Sequence, residues 1–142
     1  MGRRSPAVTT ALGRAILAFR GADRSVVAGY AGAAGDGFAI DTERVWGVPE
    51  QARAGGYATE HEENEVGISC VAVPLLRSQV AVAAVSITAP SERITPERIT
   101  WLQERIQDVL PPLLPAGSRC PPPNACGPLP ATTSRLAVSA EA

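Results

Sequence analysis

The residues with the most obvious chemical potential are one histidine and three glutamates that lie close together in the chain. They are His61, Glu62, Glu63 and Glu65. A histidine among carboxylates is the usual material of metal sites and of general acid/base catalysis. This strip has no second histidine and no further motif to complete a ligand set, so a solvated acidic loop is favoured over a metal site. We expect no metal here.

The three cysteines form neither a metal-binding nor a disulfide pattern. Cys70 stands alone in an apolar segment, whereas Cys120 and Cys126 lie in a proline-rich stretch without a second pair. A bridge between these two is sterically conceivable, but two free thiols in a reducing cytoplasm are the favoured interpretation. No Ser/His/Asp arrangement, phosphate-binding glycine loop or paired-carboxylate motif occurs at a useful spacing. We expect a protein that is not an enzyme and uses no cofactor.

Composition and charge restrict the class of protein. The 142 residues suffice for one core, and 45% are hydrophobic but only 4% aromatic, so small aliphatic side chains must fill that core. The net charge is −1, and the thirteen basic residues, all arginine, are scattered, which disfavours direct nucleic-acid binding. No signal peptide is indicated, and the apolar run at 80–89 is far below the roughly 20 residues of a membrane span. We expect a soluble cytoplasmic protein without membrane contact.

Helix signals in the first part of the chain predict one amphipathic helix and two weaker ones. In TTALGRAILAF, Thr9 or Thr10 is available as the N-cap. The apolar face of this helix consists of Leu12, Ala15, Ile16 and Phe19. Residues 22–31 are weakly helical. Asp41 or Thr42 can cap a third helix, which a glycine and a proline weaken.

The second part of the chain predicts a hairpin followed by a helix. GISCVAVPLL and VAVAAVSIT are rich in β-branched residues and are separated by RSQ, which predicts an antiparallel pair of central strands buried on both faces. Thr95 as N-cap, Pro96 at the first helical position and Glu97 then begin an amphipathic helix that ends near Leu110. We expect this helix to lie on the sheet.

A change of composition divides the chain at residue 110. Eight of the thirteen prolines follow Leu110, and the remaining sequence shows neither helical nor strand periodicity. We therefore expect one domain at 1–110 and a mostly disordered tail at 111–142. Trp46 and Trp101 are interpreted as packing residues at helix faces or at a subunit contact.

Several separated motifs resemble the C-terminal effector-binding domain of IclR-family transcriptional regulators. GRRSPAVTTALGRAILAF is similar to the segment in which a strand leads into a helix. GGYATEHEENEVGISCVAVPLL is similar to the family's signature, including Gly56, Glu63 and Cys70, and VAVAAVSITAPSERIT to the strand and turn that follow. The resemblance covers about residues 2–114. It implies an α/β (α+β), GAF-like fold with a central antiparallel sheet flanked by helices.

The sequence departs from the family at a few positions. Glu60 stands where Asp or Ser is usual, Leu76 where an aromatic residue or His is usual, and Arg77 where Asp or Asn is usual. The hairpin turn looks shorter by about one residue. The winged helix-turn-helix and the first strands of the domain have no counterpart, so we expect an effector domain that is incomplete at its N-terminus. A mis-assigned start and a truncated gene both fit this expectation.

The resemblance implies a pocket for a small organic effector between one face of the sheet and the start of the first helix. By the resemblance, Cys70, Ser86 and Thr88 are pocket positions, and Glu60 occupies the position of a pocket acid. Alternation along a strand places Ser86 and Thr88 on the same face. On the residues alone, Cys70 fits a small buried hydrophobe better than a ligand contact, and the resemblance reverses that preference.

The start of the first helix adds an anion site to this pocket. Its unpaired backbone N–H groups favour a carboxylate, and Ala11 and Gly13 leave room for a ligand to approach. Two alternatives stay open for the polar residues. Ser86 and Thr88 can equally bond backbone groups, and Glu60 can equally be a solvated loop acid.

Two functions are compatible with these features. The first is the sensing of a small organic acid or aromatic metabolite by the ligand-binding part of an IclR-type regulator. Such a chain would contact DNA only through the missing helix-turn-helix, and its protein partner would be a second copy or a full-length paralogue. The alternative is an oligomerisation fragment or decayed remnant that binds no ligand, in which missing strands leave a sheet edge uncovered.

Overall fold

An antiparallel hairpin forms the centre of the computed structural model, which describes residues 5–32 and 51–122. Its strands are β2 (Ile68–Arg77) and β3 (Val80–Pro90), as the β-branched composition predicts. Ser78 and Gln79 connect the strands, and their φ angles of 49° and 68° match a tight two-residue hairpin turn. The register shifts between Leu75 and Leu76, so this short turn is accompanied by a β-bulge.

Two shorter strands complete the sheet. β1 (Ala58–His61) pairs antiparallel with the first half of β2, and β4 (Ser118–Arg119) pairs with its last two residues. β2 is therefore central, and its residues 71–74 are all buried. In the described part of the sheet β3 lies at an edge, and most of its residues are half-buried or exposed. The prediction that both hairpin strands are buried on both faces is therefore wrong for β3, because an apolar run does not reveal what packs against a strand.

Helix α1 (Ala11–Ala18) covers one face of this sheet. Thr10 is its N-cap, and the Thr10 hydroxyl accepts a hydrogen bond from the Gly13 N–H at 3.0 Å. The buried centre of the interface consists of alanines, which allow the helix to approach the strands closely: Ala11, Ala15, Ala18, Ala52, Ala58 and Ala72. Leu12, predicted on the apolar face, is instead 39% exposed. Alanines therefore define the face of α1 that packs on the sheet, whereas Leu17 packs in a separate cluster with Val8, Ala22 and Val27.

Helix α4 (Pro96–Val109) covers the opposite face, as predicted. The Thr95 hydroxyl caps it by accepting from the Arg98 N–H at 3.3 Å. Leu102 packs with Ile94 against Val71 of β2. The buried Gln103 amide donates to the Gly55 carbonyl oxygen at 2.7 Å, so this polar group is satisfied inside the interface.

The predicted weak helix near residue 22 is present as α2 (Arg24–Gly32). The Asp23 carboxylate accepts hydrogen bonds from the Ser25 hydroxyl and the Val26 N–H, and these bonds lower the pKa of Asp23. Residues 51–55 are also helical and are labelled α3. The proposed caps Asp41 and Thr42, together with Trp46, lie outside the described residues. No helix in 5–32 or 51–122 is long and apolar enough to cross a bilayer.

The first part of the predicted tail is ordered. Residues 111–113 form a 3₁₀ turn, β4 pairs with β2, and Pro121 is buried. The Gln107 amide donates to the Pro121 carbonyl oxygen at 2.7 Å, which fixes this segment to α4. Contacts with β2 and α4 order residues 111–122. These contacts involve other parts of the chain and are therefore not visible in the local sequence. Cys126 and the rest of 123–142 lie outside the described residues.

Candidate functional site

Three polar side chains form a row across the sheet. The strand register pairs Glu60 of β1 with Cys70 of β2, and Cys70 with Thr88 of β3. The Cys70 thiol and the Thr88 hydroxyl are in hydrogen-bonding contact at 3.1 Å. Ser86 lies two residues before Thr88 and therefore faces the same side of the sheet. The hairpin and β1 thus bring together four of the residues predicted for a pocket.

This row forms one wall of a cleft of about 180 Å³. The N-terminal end of α1 forms the opposite wall, and the loop between β1 and β2 closes a third side. The lining residues are Ser5, Thr10, Ala11, Leu12, Glu60, Asn64, Glu65, Ile68, Cys70, Ser86 and Thr88. This volume is below the roughly 300–1,000 Å³ of sites for drug-sized molecules. A small metabolite is therefore the size of ligand that fits.

Gly13 does not line the cleft, in contrast to the prediction that it leaves room for a ligand. A Cβ atom at this position would lie 2.0 Å from the Ala7 carbonyl oxygen. The missing side chain therefore allows α1 to pack against the turn that precedes it. The Gly13 N–H is also bonded to Thr10. Ala11, in contrast, lies in the cleft wall as predicted.

The Glu60 carboxylate is buried and bound by the loop that follows it. Its Oε1 atom accepts from the backbone N–H of Glu63 at 2.5 Å and of Asn64 at 3.3 Å, and only 4% of the residue is exposed. It is therefore not a solvated loop acid. Burying a carboxylate is costly unless it accepts hydrogen bonds, and these two N–H groups fulfil that requirement on one oxygen.

The Cys70 thiol is in its neutral form at neutral pH. Burial raises its pKa, the Thr88 hydroxyl lowers it, and the nearby Glu60 carboxylate raises it again. A neutral thiol is a weak nucleophile. Cys70 is thus suited to contact a ligand as a soft, half-buried surface rather than to react with it.

A buried arginine that the sequence analysis did not single out fixes the loop to α1. The Arg14 Nε atom donates to the Val8 carbonyl oxygen at 2.7 Å, and Nη1 donates to the Thr59 carbonyl oxygen at 2.9 Å. Both terminal nitrogens also bond the Glu63 carboxylate, with Nη1 at 2.9 Å from Oε1. The two residues stand within the motifs that resemble the family. That resemblance was the signal in the sequence for Arg14, whereas Glu63 also belongs to the histidine and glutamate strip.

A second contact reinforces this attachment. The Thr9 hydroxyl donates to the Asn64 side-chain oxygen at 2.9 Å, and the Asn64 amide donates to the Thr9 carbonyl oxygen. The start of α1 and the β1–β2 loop are thereby joined at two adjacent points. Both walls of the cleft that they form are fixed relative to each other.

The histidine and glutamate strip does not form a metal site in the described part of the chain. No group of three or more potential ligands is close enough there to hold a metal ion. The exposed His61 ring contacts the Ser69 hydroxyl at 2.7 Å, and Ser69 in turn contacts the Ser91 hydroxyl at 2.8 Å. Ser69 is fully buried, so its hydroxyl is inaccessible to a substrate.

Trp101 contributes to the surface of α4 rather than to the cleft. It is 47% exposed, and the Arg98 guanidinium lies 4.0 Å from the centre of its ring. Of the two positions where the sequence departs from the family in β2, Leu76 is buried and Arg77 is exposed. Both pair with β4 at the end of β2 away from Cys70. These two departures therefore do not alter the cleft.

The polar groups of the cleft are mainly hydrogen-bond acceptors and hydroxyls. Glu60 and Glu65 contribute carboxylates, and no arginine is among the lining residues that the structure describes. The α1 N-terminus is the electropositive element, because backbone N–H groups at a helix start carry a partial positive charge. The cleft therefore offers an acceptor at the sheet wall and a weak anion site at the helix wall.

Comparison with known proteins places this cleft in a regulatory domain. Residues 1–110 match the family described as bacterial transcriptional regulator IclR C-terminal. The transcriptional regulator KdgR of Escherichia coli K12 is 36% identical over 103 residues, covering 70% of this chain and 39% of KdgR. XynR of the same strain is 31% identical over 111 residues, covering 75% of this chain and 44% of XynR. The chain spans less than half the length of these two relatives.

Solved structures agree with this assignment. The C-terminal domain of E. coli KdgR superposes with a TM-score of 0.56 at 35% identity, covering 73% of this chain and 64% of that domain. The inducer-binding domain of PobR from Acinetobacter, a double mutant in complex with 3-hydroxybenzoic acid, has a TM-score of 0.54 at 26% identity and covers 80% and 63%. The fold, the family match and these relatives lead to one conclusion: the chain belongs to the IclR family, and its residues 1–110 match the C-terminal regulatory domain of that family.

Proposed function

We propose that this chain senses a small organic or aromatic acid that also carries a hydrogen-bond donor, such as a hydroxyl group. The observation that carries this proposal is the cleft between α1 and the sheet, with the Glu60 carboxylate at one wall and the α1 N-terminus at the other. The ligand carboxylate would lie at the N–H groups of the helix start. The ligand hydroxyl would donate a hydrogen bond to the Glu60 carboxylate at the sheet wall. The negative charge of Glu60 would repel a second anionic group of a ligand at this position.

Two findings on the relatives support this proposal, namely the ligand of PobR and the regulatory role in the names of KdgR and XynR. PobR was solved with 3-hydroxybenzoic acid in its inducer-binding domain, a molecule that has both a carboxylate and a hydroxyl. KdgR and XynR are HTH-type transcriptional regulators. We therefore propose that occupancy of the cleft controls DNA binding by an IclR-type regulator in the bacterial cytoplasm, and that this chain has no catalytic role.

The proposal is tested by thermal-shift measurements with 3-hydroxybenzoate, benzoate, lactate and propionate. A ligand that binds only the native state raises the free energy of unfolding, by about 2.7 kcal/mol at one hundred times its Kd. We expect a hydroxylated acid to stabilise the chain, and Cys70→Ala, Ser86→Ala and Thr88→Ala each to reduce this effect. The matched control is Thr100→Ala, because Thr100 is exposed on α4.

Two results would contradict the proposal. One is stabilisation that Thr100→Ala reduces as much as the cleft substitutions do. The other is a cooperative transition that none of the four acids shifts, which would favour an oligomerisation fragment without a ligand.

The proposal includes association with a second copy of the chain or with a full-length paralogue. Val80 and Val82 are 46% and 57% exposed on β3, at an edge of the described sheet. Exposed apolar edge strands favour pairing with another chain. Light scattering after size exclusion should give a dimer or larger species, and Val82→Lys should reduce its mass. A monomer at all concentrations would contradict this part of the proposal.

A further inference from the structure

We infer that Arg14 and Glu63, neither of which lines the cleft, position the Glu60 carboxylate and thereby determine how strongly the cleft prefers a ligand with a hydrogen-bond donor. This inference rests on the proposed function. It assigns a positioning role to an ion pair outside the site.

The backbone of Glu63 is connected directly to the side chain of Glu60. The Glu63 backbone N–H donates to the Glu60 Oε1 atom at 2.5 Å. This N–H can hold the carboxylate only while the loop keeps its conformation. The Glu63 side chain anchors the loop, because both terminal nitrogens of Arg14 bond its carboxylate.

Arg14 bonds residues on both sides of Glu60 in the chain. The guanidinium bonds the carbonyl oxygen of Thr59, the residue before Glu60, and the carboxylate of Glu63, three residues after it. It is itself fixed to the Val8 carbonyl oxygen at 2.7 Å. Arg14 therefore holds the backbone before Glu60 and a side chain after it, and connects both to the helix that forms the opposite wall.

The ion pair between Arg14 and Glu63 is largely buried. The Arg14 side chain is 6% exposed and the Glu63 side chain 27%. A two-pronged arginine–carboxylate contact has a defined geometry, and burial protects it from screening by salt. The distance between the Glu60 carboxylate and the α1 N-terminus is thus set by rigid contacts, which is what selectivity for a two-ended ligand requires.

The test is isothermal titration calorimetry of the full chain with 3-hydroxybenzoate and with benzoate, which lacks the hydroxyl. Glu63→Ala is preferred to an Arg14 substitution, because Arg14 is buried and its loss risks unfolding the chain. Glu62→Gln is the control, because it removes a negative charge from the residue directly before Glu63. Glu62 is exposed and does not line the cleft. Glu63→Gln tests rescue, because its side-chain oxygen still accepts one bond from Arg14.

We expect the preference for 3-hydroxybenzoate over benzoate to fall about tenfold in Glu63→Ala, the effect of one weakened hydrogen bond to a charged group. The preference should be partly retained in Glu63→Gln and unchanged in Glu62→Gln. The inference is overturned if the preference stays at the wild-type value in Glu63→Ala. An equal fall in the affinities for both compounds is one form of this result, because the preference is then unchanged and the ion pair only maintains the shape of the cleft.

A second measurement decides the inference if the wild-type chain binds neither compound, a result that would count against the proposed function. Hydrogen exchange of the backbone amides of residues 63 and 64 reports directly on their bonds to Glu60. Their protection should fall in Glu63→Ala and stay at the wild-type level in Glu62→Gln. Equal protection in the wild-type chain and in Glu63→Ala would show that the ion pair does not position Glu60.

Discussion

The Sγ atom of Cys70 and the Oγ1 atom of Thr88 lie 3.1 Å apart, and these residues are direct partners across β2 and β3. Glu60 is the partner of Cys70 on the other side, in β1. The antiparallel register thus aligns an acid, a thiol and a hydroxyl in one line perpendicular to the strands. Residues far apart in the chain can therefore contact the same small molecule.

Alkylation of Cys70 tests its neutral state. Because burial raises the pKa of this thiol above its ordinary value of 9.0, we expect its rate of reaction with iodoacetamide to rise with pH at a higher midpoint than in the chain unfolded in urea. Mass spectrometry of the individual peptides separates Cys70 from the other cysteines. An equal or lower midpoint in the folded chain would contradict the assignment.

The same pKa shift predicts a change of stability with pH. A thiol whose folded-state pKa is raised contributes stability that is complete below its unfolded value and is lost as the pH rises through the folded value. The wild-type chain should therefore lose stability relative to Cys70→Ser above about pH 9. Urea unfolding at pH 7 and pH 10 measures this difference, and a constant difference between the two chains would exclude the effect.

Gly13→Ala should destabilise the chain although alanine is the better helix former. The new Cβ would lie 2.0 Å from the Ala7 carbonyl oxygen, and relieving such an overlap costs about 1–3 kcal/mol. Gly29→Ala in α2 is the matched control, because its Cβ would meet nothing within 4 Å. That substitution should stabilise by up to about 1 kcal/mol. Equal effects of both substitutions on urea unfolding would refute the close approach at Gly13.

Removal of Arg14 should have a large effect on stability. Arg14→Leu deprives the Val8 and Thr59 carbonyl oxygens and the Glu63 carboxylate of their donor. Breaking a buried pair of this kind costs about 3 kcal/mol. Arg20→Ala, at an exposed position just after α1, should change the free energy of unfolding by less than about 0.5 kcal/mol. Arg14 has no structural role of this kind if the two variants unfold at the same urea concentration.

Truncation tests the role of residues 111–122. A chain that ends at Leu110 loses the β4–β2 pairing, the buried Pro121 and the Gln107 hydrogen bond. We expect it to be less stable by about 1–3 kcal/mol than a chain that ends at Pro122. Chemical unfolding of both chains provides the comparison. Equal stability would show that residues 111–122 contribute nothing to the fold, in agreement with the predicted domain boundary at residue 110.

Local signals made the helices and the hairpin predictable. Thr10 and Thr95 are N-caps because their side chains reach a backbone N–H three residues later, a relation visible in the sequence itself. The alternation of Ser86 and Thr88 likewise follows from strand geometry alone. The match to the family supplied what periodicity could not, namely which face of the sheet forms the cleft.

Contacts between distant residues were not predictable in this way. Arg14 and Glu63 are separated by 49 positions, and no local pattern shows that a buried arginine meets that particular glutamate. The edge position of β3 and the order in 111–122 also depend on partners elsewhere in the chain. Gly13 was predicted to leave room for a ligand. A missing side chain leaves space equally for a ligand and for a neighbouring backbone segment, and the sequence does not distinguish the two.

Under the proposed sensing function, the alanine interface beneath α1 has a consequence for the movement of this helix. Leucine or methionine at such an interface can change rotamer and absorb a small displacement, whereas alanine has no rotamer to change. A ligand that moves the start of α1 therefore has to move the whole helix relative to the sheet. The helix should therefore move as a rigid body, and a displacement of Ala11 should be accompanied by an equal displacement of Ala18. The Arg53 side chain bonds the backbone carbonyl oxygen of Ala18 at this end of the helix.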